Sequence, residues 1–174
     1  CALFAATSVF ESAIAIQTGE LVDLSEQHFI DHVDTMSDAE GIAPIAIMNF
    51  FKQNGVMTEQ DIPYTGTKDR VFNEEGSYKL ASWDSQMMSY PLEENITIIK
   101  SHLLEYGPVA ASLGVYYDFG DYSGGIYECD ESSGIHSGHW MTIIGWVDDD
   151  SVTNGGYWIC KNSWGTSWGE DGFC

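Results

Sequence analysis

The chain has 174 residues, 44% of them hydrophobic, and a chain of this length can build a buried core without disulfide bonds. Its 27 acidic and 6 basic residues give a formal net charge of −21, which argues against nucleic acid or an anionic membrane surface as a partner. No apolar run is long enough to span a bilayer, so the sequence predicts no membrane insertion.

Helical patterns occupy the first half of the chain, to about residue 85. Apolar residues recur at helical spacing before Gly19, which predicts a first helix that ends there. Ser25 followed by Glu26 predicts the start of a second helix. Pro44 predicts the start of a third, which ends at Gly55. The apolar positions assigned to the first and third helices are Leu3, Val9, Phe10, Ala13 and Ile14, then Ile45, Met48 and Phe51.

The second half, from about residue 86, predicts one amphipathic helix followed by short strands. The helix carries Ile96, Ile99, His102 and Leu103 and ends at Gly107-Pro108. Asn154-Gly155 is a strong turn signal inside an acidic loop. The four predicted strands are Val109 to Val115, Gly125 to Glu128, Trp140 to Val147 and Gly156 to Lys161.

The run YWICKNSWGTSWGEDGF, residues 157–173, combines a strand, a polar insert and a turn rich in Gly and Trp. The strand ends by presenting Asn162, whose carboxamide can orient a partner. Gly165 and Gly169 allow a tight path that packs Trp164 and Trp168 over the strand end. Taken alone, the segment is equally compatible with a hairpin that has an aromatic corner.

This run resembles the NSWG signature of papain-like cysteine proteases, peptidase family C1A, and further matches extend the resemblance over essentially the whole chain. It implies an α+β, papain-like fold: a helical left half, residues 1–85, and an antiparallel, β-barrel-like right half, residues 86–174, with the active-site cleft between them. The further matches are Cys1 to Ala6 at the start of a helix, Leu24-Ser25-Glu26-Gln27, Ile62-Pro63-Tyr64, and the His139 to Trp146 strand.

The resemblance implies a catalytic set of Cys1, His139 and Asn162, with Trp164 as a cover. Cys1 would be the nucleophile, since a helix N-terminus favours the thiolate form of a cysteine. His139 would take the thiol proton and return it to the leaving amine, and Asn162 would hold the imidazole ring. The oxyanion would be held by the backbone amide of Cys1 and by a Gln that the family carries upstream of its nucleophile.

The substrate-binding residues implied by the alignment are Gly41, Ile42, Ala43, Pro44 and Gly138. Gly41 and Ile42 fall where the family usually has Gly-Gly, at a place where a substrate backbone approaches. Ala43 and Pro44, with Ile45 beside them, form an apolar wall. They predict a preference for a hydrophobic side chain at the second residue before the scissile bond.

The remaining histidines predict neither a metal site nor a cofactor. His28 and His32 are four residues apart on a helix face, but no third ligand accompanies them at suitable spacing. His136 is predicted to lie in a Ser/Gly loop and to be solvated, since no apolar strand follows it directly. His102 is interpreted as structural.

The other cysteines leave their pairing open. The family resemblance implies that Cys129 pairs with a cysteine beyond Cys174. Cys160 and Cys174 are interpreted as free buried thiols, and a disulfide between them remains an alternative. The left-half disulfide cysteines of the family fall on His32 and Ala39 in an ungapped alignment, so that half would depend on core packing instead.

Three functions are compatible with these residues. The first is a cysteine endopeptidase acting on protein or peptide substrates, expected to be a monomer and secreted, or in a lysosome-like compartment if eukaryotic. The second is a catalytically impaired relative that acts as a binding protein, suggested by Ala2 and Ile42 at positions where the family has an aromatic residue and Gly. The third is an N-terminal nucleophile hydrolase whose base is the α-amino group of Cys1. Relative to the family, the sequence is expected to lack segments at both ends.

Overall fold

The computed structural model of the chain describes residues 1–33, 44–68, 74–85 and 92–174. Contacts group Ala2–Met88 into one compact unit and Ser89–Cys174, together with Cys1, into another. Helices dominate the first unit and an antiparallel sheet the second, which confirms the α+β class. The elements are α1 (Ala2–Thr18), α2 (Glu26–His32), α3 (Pro44–Gln53), α4 (Leu92–Glu105), β1 (Val109–Tyr116), β2 (Ile135–Asp148) and β3 (Gly156–Lys161).

Helix α1 ends where the sequence predicts. Gly19 has φ +76°, and its N–H donates to the Ala15 carbonyl at 2.9 Å, so the helix closes on a left-handed glycine. The first half of α1 is largely buried, and Phe10 packs on Phe51 of α3 with ring centroids 5.6 Å apart. This contact belongs to the apolar core of the first unit.

Helix α2 begins with a side-chain cap, as predicted. The Ser25 hydroxyl accepts the His28 N–H at 3.0 Å and donates to the Ile62 carbonyl at 2.6 Å. The cap therefore satisfies a free helix amide and also ties α2 to a distant segment. Such a cap contributes about 1 kcal/mol.

Helix α3 matches the predicted face in part. Phe51 is buried, as predicted, and so are Ile47 and Phe50, whereas Ile45 is 55% exposed. The positions i, i+3 and i+4 from Ile47 form the apolar stripe, so the prediction was wrong for Ile45. Phe50 lies against Phe29 of α2 and against Phe51, with ring centroids 5.2 and 6.2 Å apart.

His28 is buried, and both of its ring nitrogens contact the backbone. Nδ1 accepts the Met57 N–H at 3.1 Å, which leaves Nε2 as the protonated nitrogen that donates to the Glu74 carbonyl at 3.2 Å. His32 packs against Phe50 with ring centroids 4.9 Å apart. Because burial lowers the pKa of His28, the neutral ring is the form that the fold uses.

The second unit is built on a three-stranded antiparallel sheet in the order β1-β2-β3. Leu113 pairs with His139, and Ile143 pairs with Cys160. Helix α4 packs against this sheet through Ile99 and Leu103. The buried core of the unit consists of Val115, Phe119, Met141, Ile143, Cys160 and Trp168.

Two predictions for this unit were wrong. Residues 125–128 form no strand; Gly124 and Gly125 have φ +153° and +81°, and the Tyr127 hydroxyl donates to Asp118 at 3.1 Å. This segment is therefore held by side chains rather than by a strand ladder. His136 is exposed, as predicted, but it lies within β2 and stacks on Tyr117 with ring centroids 4.7 Å apart.

The predicted turn between β2 and β3 is present. Asn154 and Gly155 have φ +63° and +75°, the left-handed pair that this dipeptide favours. Among the described residues, no helix combines the length and hydropathy needed to cross a membrane.

Candidate active site

The centre of the candidate site is a hydrogen bond between His139 and Asn162. His139 lies within β2 and is 5% exposed, and its Nε2 is 2.8 Å from Asn162 Oδ1. A carboxamide oxygen only accepts, so neutral His139 must carry its proton on Nε2. That tautomer leaves Nδ1 free of a proton and able to act as a base.

The side-chain amide of Asn162 has a defined orientation. Its Oδ1 also accepts the Ser163 N–H at 2.8 Å, so two donors converge on one oxygen. A flipped amide would direct Nδ2 at both donors, which is unfavourable. Nδ2 itself is buried and has no hydrogen-bond partner within the described parts of the chain.

Strand register explains why these two residues meet. In β2 and β3 the last pair is Thr142 with Lys161, so Asn162 comes opposite Met141. Met141 and His139 are two residues apart and therefore lie on the same face of the sheet. His139 is the diagonal neighbour of Asn162, a position within reach of a long side chain.

A β-bulge produces this register. Gly145 pairs with Ile159 and Ile143 with Cys160, so Ile144 is the extra residue. If Ile144 were paired with Cys160 instead, Asn162 would fall opposite Thr142, on the other face from His139. A one-residue shift reverses the face of each following side chain, and the bulge therefore orients Asn162 towards His139.

Trp164 lies against the imidazole ring of His139. The ring centroids are 4.9 Å apart with an interplanar angle of 36°, and Trp164 remains 42% exposed. Phe119 and Trp168 support it from behind at 5.5 and 5.3 Å, and the Trp168 indole N–H donates to the Phe119 carbonyl at 3.3 Å. The ring thus separates one side of the imidazole from solvent.

Burial is the main influence on the charge of His139. It lowers the pKa of the imidazole from its ordinary value, and the hydrogen bond to Asn162 opposes that shift. The hydrogen bond favours the protonated ring because the Nε2–H donates more strongly to an oxygen when the ring is charged. A nearby thiolate would favour it further.

Cys1 belongs to the same unit as His139 and Asn162. It is exposed and directly precedes the 17-residue helix α1. The first turn of a helix has free N–H groups and a partial positive charge, and both stabilise a thiolate. The unit therefore brings together an accessible thiol, a base and a group that orients the base.

The proposed substrate-binding residues are only partly within the described structure. Gly41, Ile42 and Ala43 lie outside the described residues. Pro44 is the first residue of α3, and Ile45 is exposed beside it. Gly138 is exposed opposite Gly114, and a Cβ at position 138 would meet nothing within 4 Å.

Two features of this site could not be predicted from the sequence. The Ser163 N–H bond follows from local geometry at the end of β3, but the sequence offers no signal for it. Phe119 is buried and lies behind Trp164. Tyrosines precede and follow it in the sequence, so its aromatic character does not distinguish it from its neighbours. An aromatic residue in a short 3-10 turn, here Tyr117–Asp121, has no periodicity that would indicate burial.

Comparison with known proteins identifies the family. All of the chain, residues 1–174, matches the family described as "Papain family cysteine protease". The chain therefore belongs to the papain family of cysteine proteases.

Individual relatives give the extent of the similarity. The viral cathepsin of Adoxophyes honmai nucleopolyhedrovirus is 32% identical over 174 residues, which are 99% of this chain and 49% of that protein. Procathepsin L of Felis catus is 33% identical over 181 residues, which are 99% of this chain and 52% of that protein. The chain thus spans about half the length of these curated relatives.

A solved structure shares the fold. The bromelain protease of Ananas comosus, in complex with the E64 inhibitor, superposes with a TM-score of 0.76 at 27% identity. The match covers 99% of this chain and 77% of that chain.

Proposed function

We propose that the chain is the catalytic part of a cysteine endopeptidase in which Cys1 is the nucleophile, His139 the general base and acid, and Asn162 the orienting residue. The observation that carries the proposal is the 2.8 Å bond between His139 Nε2 and Asn162 Oδ1, since it leaves Nδ1 as the base. Membership of the papain family supports the same reaction class. Proteins or peptides would be the substrates, and the protein would act as a monomer.

The reaction begins with proton transfer from the Cys1 thiol to His139 Nδ1. The resulting thiolate attacks the carbonyl carbon of the scissile peptide bond, and the imidazolium then gives its proton to the leaving amine. Burial disfavours the imidazolium, whereas Asn162 and the thiolate favour it. These opposing effects set the equilibrium between the neutral thiol–imidazole pair and the thiolate–imidazolium pair.

Hydrolysis of the acyl-enzyme completes the cycle. His139 takes a proton from water, whose oxygen attacks the thioester carbon, and the proton then returns to the Cys1 sulfur as the acid product leaves. Trp164 would shield the His139–Asn162 bond from water during both steps. Shielding strengthens that bond because the local dielectric constant is low.

A hydrophobic side chain would be preferred at the second residue before the scissile bond. The proposal rests on the apolar residues Ala43, Pro44 and Ile45, while Gly41 and Ile42 would offer backbone groups to the substrate and Gly138 would border the reacting bond. A peptide panel that varies only this substrate position tests it. Higher kcat/KM for Leu or Phe is expected, and a preference for Arg or Glu would refute it.

Secretion, or a lysosome-like compartment in a eukaryote, is the localisation that we propose for the protein.

The experiment for the function is peptide hydrolysis by the expressed protein and by its Cys1→Ser and His139→Ala variants. The proposal predicts turnover by the parent protein and loss of nearly all of it in both variants.

The same assay separates the alternatives. A folded parent protein that binds peptides without cleaving them would support the impaired relative suggested by Ala2 and Ile42. Turnover that survives His139→Ala would favour the mechanism in which the α-amino group of Cys1 is the base. Protection of Cys1 from iodoacetamide by E64, which the bromelain structure contains, would locate the thiol in a ligand-binding site.

A further inference from the structure

Cys160 and Cys174 face each other directly across an antiparallel pair. The Cys160 N–H donates to the Cys174 carbonyl at 2.6 Å, and the Cys174 N–H donates to the Cys160 carbonyl at 2.9 Å. Residues that exchange both backbone bonds in this way have Cα atoms about 5.5 Å apart, a separation that a disulfide spans. Directly opposed side chains also project from the same face of the sheet. The Cα separation and the shared face therefore make a disulfide between the two sulfurs accessible.

The two thiols are free and lie in unequal surroundings. Cys160 is buried in the core of the unit, whereas Cys174 is half-buried. The thiols are hydrogen-bond partners, which lowers the pKa of Cys174; that bond, followed by burial, raises the pKa of Cys160. Cys174 is thus the more accessible and the more readily ionised thiol of the pair.

We propose that Cys160 and Cys174 are a redox-active pair whose disulfide staples the turn formed by residues 161–173 to the end of β3. The inference is independent of the proposed peptidase activity, because neither thiol takes part in that mechanism. The stapled turn nevertheless carries two residues of the candidate site, Asn162 and Trp164.

A low-molecular-weight disulfide is a sufficient oxidant. The Cys174 thiolate attacks one sulfur of the small disulfide, forms a mixed disulfide and releases one small thiolate. Cys160 then loses its proton, and its thiolate attacks the Cys174 sulfur and releases the second small thiolate. Two protein thiols are oxidised, one small disulfide is reduced to two thiols, and the two protons pass to the released thiolates.

The staple would reinforce contacts that already hold the turn. The Asn162 N–H donates to the Gly172 carbonyl at 2.9 Å, and Lys161 bridges to Phe173. A disulfide adds to these by restricting the unfolded chain, and the closed loop here runs from residue 160 to residue 174. Oxidation should therefore raise Tm by about 5–10 °C, the range expected for a loop of that size.

The test uses the expressed protein carrying Cys1→Ser and Cys129→Ser. The second change is needed because residues 101–160 contain no Lys or Arg, so trypsin leaves Cys129 and Cys160 on one peptide. Trypsin cuts after Lys161 and separates Cys160 from Cys174. After incubation with glutathione disulfide, mass spectrometry should find the protein lighter by two hydrogen atoms and the two peptides cross-linked, with dithiothreitol reversing both changes.

Matched controls are Cys160→Ser and Cys174→Ser in the same background. Cys160→Ser should stop at a mixed disulfide between glutathione and Cys174, and neither control should gain in Tm. Recovery of both thiols in alkylatable form, or of separate glutathione adducts on each, would overturn the proposal. A disulfide that forms without raising Tm would overturn the staple.

Discussion

His139 and Asn162 meet because Ile144 is left unpaired in a bulge of β2 and does not pair with Cys160. The bulge shifts the pairing of β2 and β3 by one residue, so Asn162 faces the side of the sheet that carries His139. The 2.8 Å bond between the two side chains is therefore a property of strand register as well as of residue identity.

Deletion of Thr142 should separate Asn162 from His139, whereas deletion of Ile144 should not. Thr142 is paired with Lys161, so its removal would set Asn162 opposite Trp140, on the other face from His139. Loss of an orienting contact costs about 100-fold in rate, and we expect kcat to fall to the level of Asn162→Ala, measured with a fluorogenic peptide. Ile144 is unpaired, so its deletion leaves Ile143 opposite Cys160 and should retain most activity. Equal activity of the two deletion variants would show that strand register does not position Asn162.

Replacement of Trp164 should change the charge state of His139. Burial lowers the pKa of His139, and the Trp164 ring at 4.9 Å provides part of that burial. Trp164→Ala should therefore raise the imidazole pKa by admitting water, an effect that NMR titration of His139 detects. Trp164→Phe retains an aromatic cover and should stay near the parent value. A pKa that falls or does not move in Trp164→Ala would contradict this role.

Gly138→Asp should make His139 easier to protonate. A Cβ at position 138 meets nothing within 4 Å, so the substitution fits without strain. The new carboxylate beside His139 favours the imidazolium, which raises its pKa and extends activity to higher pH. Gly138→Asn is the neutral control of the same shape and should leave the alkaline limb of the kcat/KM profile unchanged. Identical limbs in the two variants would exclude the electrostatic explanation.

Glu26→Gln should stabilise the protein at neutral pH. Burial, with added repulsion from Glu11, Glu59 and Asp23, raises the pKa of Glu26 from 4.5 to about 7. A raised pKa means that the folded state binds the proton more tightly, so this stability is present below pH 4.5 and lost as pH rises to about 7.

The neutral Gln side chain removes that loss. After allowing for partial solvent exposure of the site, the gain at pH 7.5 should be about 1–2 kcal/mol in the free energy of unfolding. Urea denaturation between pH 4 and 8 measures it. Glu94→Gln removes an exposed carboxylate and should have little effect; an equal gain in both variants would point to net charge instead.

Local signals predicted most of the fold. The Ser25 cap, the Gly19 stop and the Asn154-Gly155 turn each act through neighbouring backbone atoms, so short patterns suffice to identify them. Ile45 was wrongly assigned to the buried face of α3 because the helix carries apolar residues on more than one of its sides. Residues 125–128 have strand-like composition, but side-chain bonds to Asp118 hold this part of the chain instead.

The candidate site was predictable in its residues but not in its assembly. Cys1, His139, Asn162 and Trp164 are recognisable from motifs. The bulge at Ile144 is not, because an extra residue in an apolar strand leaves composition unchanged. That Cys160 and Cys174 face each other likewise depends on how the chain returns along β3. The number of residues between the two cysteines does not determine this path.

The central claim is that His139 activates Cys1, and the pH dependence of Cys1 alkylation tests it most directly. Iodoacetamide labelling can be followed on the tryptic peptide that ends at Lys52, since Cys1 is the one cysteine within residues 1–52. We predict full labelling of the parent protein at pH 5–6, and a labelling profile of His139→Ala that is displaced to higher pH, towards the ordinary thiol pKa of about 8.5. The same labelling profile in both proteins would contradict it.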